Sequence, residues 1–283
     1  MIFFWWNLTY AAGAVAVVLA VTFAVALRLG RHSVIDVAWG LGFCAVAAVS
    51  AAASTGHGDP ARRWTVLTMT LLWGLRLAAH IARRARGADE DPRYEDLLSK
   101  APGGRNRYAL RKVYLPQGLV LWFVSLPVQL AMYQDGRPGI ALYAGVLVWT
   151  IGLAFEAIGD LQLSRFTADP ANKGKVMDRG LWRYTRHPNY FGDSLVWWGL
   201  FLATCDHWTG PLTVLSPVLM TALLVKGTGK PLLEKRMTRT RGGYFDYTAR
   251  TSGFVPLPPR TRQSTAHGTK SLPPGRRAPR HDR

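Results

Sequence analysis

Uncharged apolar runs alternate with short polar stretches along most of the chain: Trp5–Leu27, Val37–Thr55, Trp64–Leu75, Val113–Gln134, Gly139–Phe155, Ser194–Cys205 and Pro211–Val225. A bilayer core takes about 20 mostly apolar residues of helix. The first, second, fourth and fifth runs reach or approach that length, and the third does so if Arg76 lies inside the span. The pattern predicts an all-α fold, a polytopic membrane helix bundle of about seven transmembrane helices. The first run is longer than a leader's apolar stretch and has no basic residues before it. It reads as a retained helix, with Trp5, Trp6 and Tyr10 in an interfacial aromatic belt.

The breaks between runs carry their own signals. Ser33 and Asp36 have the spacing of a capping box at the start of helix two, with Asp in place of Glu. Gly56–Pro60 is an outer turn. Pro116 and Pro127 predict kinks in helix four, and Pro188 suits the first turn of helix six. Helix five is expected to end at Glu156–Asp160, with a loop from Leu161 to His187. Pro231–Val255 reads as an amphipathic helix followed by a packed segment. Residues 1–259 form one domain on this reading, and 260–283 a disordered basic tail rich in Pro and Gly.

The 283 residues carry a formal charge of +18, which by itself would suggest nucleic acid. Its location decides otherwise. Segments 83–112, 161–188, 226–257 and the tail hold nearly all the Lys and Arg, while the alternate loops hold Arg62, Arg63 and Arg137. That asymmetry is the positive-inside pattern, so the N-terminus is expected outside and the C-terminus in the cytoplasm of a cell-membrane protein. The bilayer, not nucleic acid, is the expected partner, together with a lipophilic small molecule. The sequence carries no signal for an oligomeric state. Cys44 and Cys205 lie in or beside apolar runs without ligand spacing, so no metal site is expected.

Ionisable groups in or beside apolar runs are costly, and each needs a reason. Asp36, Arg76, Glu156 and Asp160 are such groups. Glu156 and Asp160, four residues apart, share a helix face, with Arg165, Arg183 and Arg186 as candidate counter-charges. Tyr184, Arg186, His187, Asn189, Tyr190 and Asp193 crowd the ten residues around Pro188. Donors, acceptors and aromatic faces in that mixture suit a nucleotide better than a simple ion. An ion-pair cluster fastening loops to the bundle is the structural alternative. The acidic stretch of the Gly87–Lys112 loop reads mostly as solvated surface.

The segment Leu181-Trp-Arg-Tyr-Thr-Arg-His-Pro-Asn-Tyr-Phe-Gly-Asp193 resembles the signature of the steroid 5-alpha-reductase C-terminal-domain superfamily, in particular its bacterial branch of membrane proteins of unknown function. Further likeness lies at Ser33–Gly42, Leu72–Arg76, Asp91–Tyr94, Gln117–Pro127, Phe155–Asp160, Ala168–Arg179, Pro231–Lys235 and Tyr244–Pro259, covering about residues 30–259. The resemblance implies NADPH-dependent reduction of a carbon–carbon double bond conjugated to a ketone, in a steroid-like or isoprenoid lipid. It implies that Asp160, Arg165, Asn189 and Asp193 contact the cofactor. Glu156 stands where the steroid enzymes hold an amide, and Tyr184, Arg186 and His187 would line the same pocket.

On the substrate side, the resemblance places Asp36 and Trp73 at the ketone, with Arg76 beside them. An indole can donate one hydrogen bond but is no acid, so Asp36 would have to carry a proton to help. A neighbouring group, the isoprenylcysteine-type and phospholipid methyltransferases, shares an Arg-His-Pro-x-Tyr-x-Gly element followed by a Glu and a Tyr-x-x-Tyr segment. Glu234 and Tyr244–Tyr247 resemble those, making S-adenosylmethionine the alternative cofactor and a non-catalytic membrane protein the third reading.

Overall fold

The computed structural model describes residues 2–227 and 229–260. Thr228, in the Gly227–Lys230 turn, and the tail beyond Arg260 lie outside them. The described residues form helices and turns, with one isolated bridge between Thr185 and Ser252. Five apolar segments are long enough to cross a membrane: α1 (Ile2–Leu29), α2 (Ile35–Ala53), α3 (Pro60–Arg84), a composite helix over Arg105–Ala131, and α8 (Ile140–Ala168). A short helix, α4 (Pro92–Leu98), precedes the composite one, which comprises α5 (Arg105–Ala109), a π-helical turn (Leu110–Tyr114), α6 (Leu115–Val124) and α7 (Leu126–Ala131). After α8 come α9 (Pro188–Leu202), α10 (Leu215–Val225), α11 (Lys230–Thr240) and α12 (Tyr244–Arg250). With 15 and 11 residues, α9 and α10 are shorter than a full span.

Each break has a physical cause. Asp59 and Asp91 cap α3 and α4, each followed by a proline at the first helical position, where the missing N–H costs nothing. Ahead of Pro116 the Leu115 N–H reaches back five residues to Leu110, giving the π turn. Around Pro127 the helix divides at Ser125, whose hydroxyl donates to Trp122 O at 2.7 Å while Gln129 donates to the same carbonyl at 3.3 Å. Both prolines thus interrupt the helix, as the sequence implies.

Packing relies on close backbone approach. Gly145, Gly152 and Gly159 repeat every seven residues on α8, facing Gly199, Gly192 and Pro188 of α9. A Cβ at Gly152 would stand 2.6 Å from Gly192 O and 2.7 Å from Val196 N. A heptad stripe of small residues lets two membrane helices run side by side with nothing between them. Gly40 of α2 and Gly74 of α3 make a similar crossing, with the buried Cys44 thiol against Gly74. The core at the junction of α2, α3 and α9 is Phe43, Trp73 and Trp197, with Trp73 and Trp197 edge to face at 5.4 Å.

Two local expectations are corrected. Ser33 does not cap α2. The N-cap is Val34, with no side-chain cap, and Glu90, from the loop after α3, instead ties the turn ahead of the helix by accepting from the backbone N–H of His32 at 2.5 Å and of Ser33 at 2.8 Å. Glu90 is therefore a clamp within a loop whose residues are otherwise mostly exposed. Helix five does not stop at Asp160 either: α8 runs two further turns to Ala168, carrying Arg165 with it.

Candidate functional site

Two carboxylates project from α8 toward α3 and α9. Glu156, 2% exposed, accepts from the Trp73 indole at 2.9 Å and from the Arg76 guanidinium. Asp160 accepts from Arg76 at 2.9 Å and from the Asn189 amide at 3.2 Å, with His80 Nε2 3.7 Å away. One arginine thus bridges both carboxylates, as the planar guanidinium fork permits. Four residues beyond Asn189, Asp193 is buried against the same cluster, and its Oδ1 has no hydrogen-bond partner among the described residues. Buried polar atoms are nearly always satisfied, so an orphan acceptor marks a place for a donor.

The polar block ahead of α9 is held by the C-terminal segment. Gly180, in the left-handed region at φ +57°, turns the chain so that Leu181 N–H reaches Gln162 at 2.9 Å. Ser252 O accepts from Arg186 N at 2.9 Å, Tyr184 O accepts from Leu257 N at 3.0 Å, and the Tyr247 hydroxyl donates to Trp182 O at 2.5 Å. His187 stacks on Tyr190 and meets Glu234 of α11 at 3.0 Å, with Arg186 3.3 Å from the same oxygen. Burial pushes the His187 imidazole below its ordinary value despite the attraction of Glu234. Burial alone would raise Glu234, but His187 and Arg186 outweigh it and hold its carboxyl below the ordinary range.

Between these elements lies a cavity of about 980 Å³, at the upper end of the range for small-molecule sites. Asp36, Trp73, Glu156, Asp160, Arg186, His187, Asn189, Asp193 and Tyr244 line it. Arg76 and Glu234 stand behind the lining, bonded to residues that form it. Arg165 and Tyr184 are exposed and lie outside the lining, and Arg183 is exposed too. The counter-charge for Glu156 and Asp160 is therefore Arg76, not the arginines downstream.

The cavity has two chemically different ends. The α8–α9 end is the carboxylate cluster; Arg84, Lys112, Lys173, Lys175, Arg186 and Arg241, from helix ends and connecting segments, also line the cavity. At the α2 end, Asp36 accepts from the Tyr94 hydroxyl at 2.5 Å and from Arg93 at 2.8 Å. Burial raises the Tyr94 phenol well above its ordinary value, and the charge of Asp36 adds to this. Trp39 donates to Gln117 at 2.5 Å on the same wall. Trp39, Arg93, Tyr94 and Gln117 are site residues the sequence reading passed over. The Asp91-Pro-Arg-Tyr94 stretch is a recognisable capped helix start, but only the fold brings it under α2.

The arrangement defines a helical, membrane-type protein with a large internal cavity lined by both polar and apolar side chains. The chain belongs to the family described as Protein of unknown function (DUF1295), which matches residues 22–251 and is steroid 5-alpha-reductase-like. Over 63 residues it is 35% identical to a probable O-methyltransferase, ustE, of Ustilaginoidea virens, a match covering 22% of each chain. No solved structure matches.

Proposed function

We propose that the protein is an NADPH-dependent reductase of a conjugated enone in a steroid-like or isoprenoid lipid, acting in the cell membrane as a member of the bacterial branch of its superfamily. In this reading α9 and α10 complete a seven-helix bundle with the N-terminus outside, and the basic segments face the cytoplasm. The observation that carries it is a single cavity whose lining holds both the Asp160–Asn189–Asp193 cluster and the Asp36–Tyr94 acid–phenol pair.

The donor set suits the cofactor. The orphan Asp193 Oδ1 offers an acceptor for a ribose hydroxyl or a carboxamide N–H, and Asn189 and Asp160 stand beside it. Arg186, Lys173, Lys175 and Arg241 supply cations for phosphates. Bound NADPH would supply a hydride to the β-carbon of the enone. The chain's own task is then to hold the enone oxygen as negative charge grows on it, and to orient the enone against the nicotinamide. The cavity wall around Asp36, Arg93 and Tyr94 is placed for the first of these, and the proton that completes the saturated ketone enters at the α-carbon from water.

A second reading, S-adenosylmethionine-dependent methyl transfer, draws on the name of the fungal relative. It also draws on the three carboxylates Glu156, Asp160 and Asp193, gathered around Arg76, which would suit a sulfonium cation. Binding of NADPH, NADP⁺ and S-adenosylmethionine to the detergent-purified protein separates the two. The reductase reading expects tight NADPH binding that Asp193→Ala and Asn189→Ala each weaken at least tenfold. Preference for the sulfonium compound sinks it.

A further inference from the structure

Donation to the enone oxygen meets a shortage at the α2 end of the cavity. Tyr94 has one hydroxyl hydrogen, and Asp36 takes it at 2.5 Å. The guanidinium of Arg93 gives Nε and Nη2 to Asp91 and Asp36, at 3.0 and 2.8 Å, which leaves Nη1 as its remaining donor. Trp73, the residue the resemblance places at the ketone, gives its one N–H to Glu156.

Gln117 lacks this constraint. Its side-chain oxygen accepts from the Trp39 indole at 2.5 Å, and an indole N–H can only donate. The amide is thereby fixed: oxygen toward Trp39, NH2 away from it. That NH2 carries two hydrogens. One is available to the neighbouring Tyr94 phenol, whose ionisation the amide favours against the larger penalty of burial. Both Gln117 and Tyr94 line the cavity.

We infer that the second Gln117 N–H is a donor to the carbonyl oxygen of the substrate, and that Trp39 is the positioning residue that keeps this end of the amide facing the cavity. The inference rests on the enone reading for its substrate, but the donor itself is a property of the cavity wall. It gives the growing oxyanion a hydrogen bond without first breaking the Tyr94–Asp36 bond. With Trp39 on α2 and Gln117 on α6, the donor's orientation also depends on how those two helices meet.

Para-nitrophenol tests this, because its anion presents an oxyanion on a flat ring and its absorbance reports ionisation when bound. Para-nitrotoluene is the neutral control of similar shape. The wild-type protein in detergent should prefer the anion to the control by at least about tenfold. Gln117→Leu and the isosteric Gln117→Glu should each lose about 10²-fold in anion affinity, the scale of removing one oxyanion donor. Trp39→Phe should lose about tenfold with para-nitrotoluene binding unchanged. It should add nothing in the Gln117→Leu background, because its effect runs through the amide.

A wild-type protein with no preference for the anion overturns the inference. So does Gln117→Leu that binds the anion as well as wild type, or a Trp39→Phe effect that persists in full without Gln117. Anion binding that depends on Gln117 in a protein that binds no NADPH sinks the reductase reading and leaves the donor assignment standing.

Discussion

Trp73 Nε1 stands 2.9 Å from Glu156 Oε2, and this one bond uses the whole donor capacity of the indole. Trp73 therefore holds the carboxylate cluster to α3. Replacing it with Phe removes a hydrogen bond to a charged group while nearly preserving shape. Trp73→Phe should lower stability by about 2 kcal/mol in detergent unfolding and leave para-nitrophenol binding unchanged. A loss of anion binding with unchanged stability would return Trp73 to the substrate's oxygen.

Arg76 bridges two carboxylates that are 3% and 8% exposed. Removing it leaves both without their shared cation, and breaking such buried pairs costs about 3–5 kcal/mol. Arg76→Met should unfold readily, and adding Glu156→Gln should recover part of the loss. Arg76→Lys should fall between, because an ammonium is a point charge and cannot present two parallel donors. Thermal unfolding of the four proteins orders them.

Asp206, in the connection after α9, caps α8 from outside by accepting from the backbone N–H groups of Gly139, Ala141 and Leu142 at 2.9 to 3.1 Å. Burial alone would raise its carboxyl, but these donors and Arg62 outweigh it and hold it below the ordinary value. A depressed carboxylate stabilises the fold above its unfolded value, about 3.9, and that contribution disappears as pH falls through the folded value. The stability gap between wild type and Asp206→Asn should thus be full at neutral pH and close below about pH 4. A gap that widens on acidification would contradict the capping role.

The α8–α9 seam admits no side chain. Gly152→Ala should cost about 1–3 kcal/mol, since the added methyl meets backbone atoms that cannot rotate away. Gly13→Ala on α1, where a Cβ meets nothing within 4 Å, should instead gain up to about 1 kcal/mol from helix propensity. Paired unfolding measurements on these two variants separate packing from propensity.

The apolar runs and proline positions made the long helices legible, because length and breaks are local properties. Glu156, Asp160, Asn189 and Asp193 were legible for a related reason: polar groups at a membrane boundary stand out against their surroundings. The partner of the carboxylates was not, since Arg76 is 80 residues from Glu156 and reaches it only through the α3–α8 packing. Glu90 did not stand out from the rest of its mostly exposed loop, because a charged loop residue looks the same whether water or two backbone amides satisfy it. Gln117 lies in an apolar run, and a single amide there carries no signal until Trp39 is seen to orient it.

The α2 end of the cavity is built from residues 36–117 and the carboxylate end from residues 156–247, joined through Trp73 and Arg76. Under the proposed function, the two kinds of selectivity are therefore written in separate stretches of the chain. Substitutions in the first half can change which molecule is accepted without rewriting the groups that surround Asp193. A graft of that half between relatives, with Trp73 and Arg76 retained, would carry its preference with it.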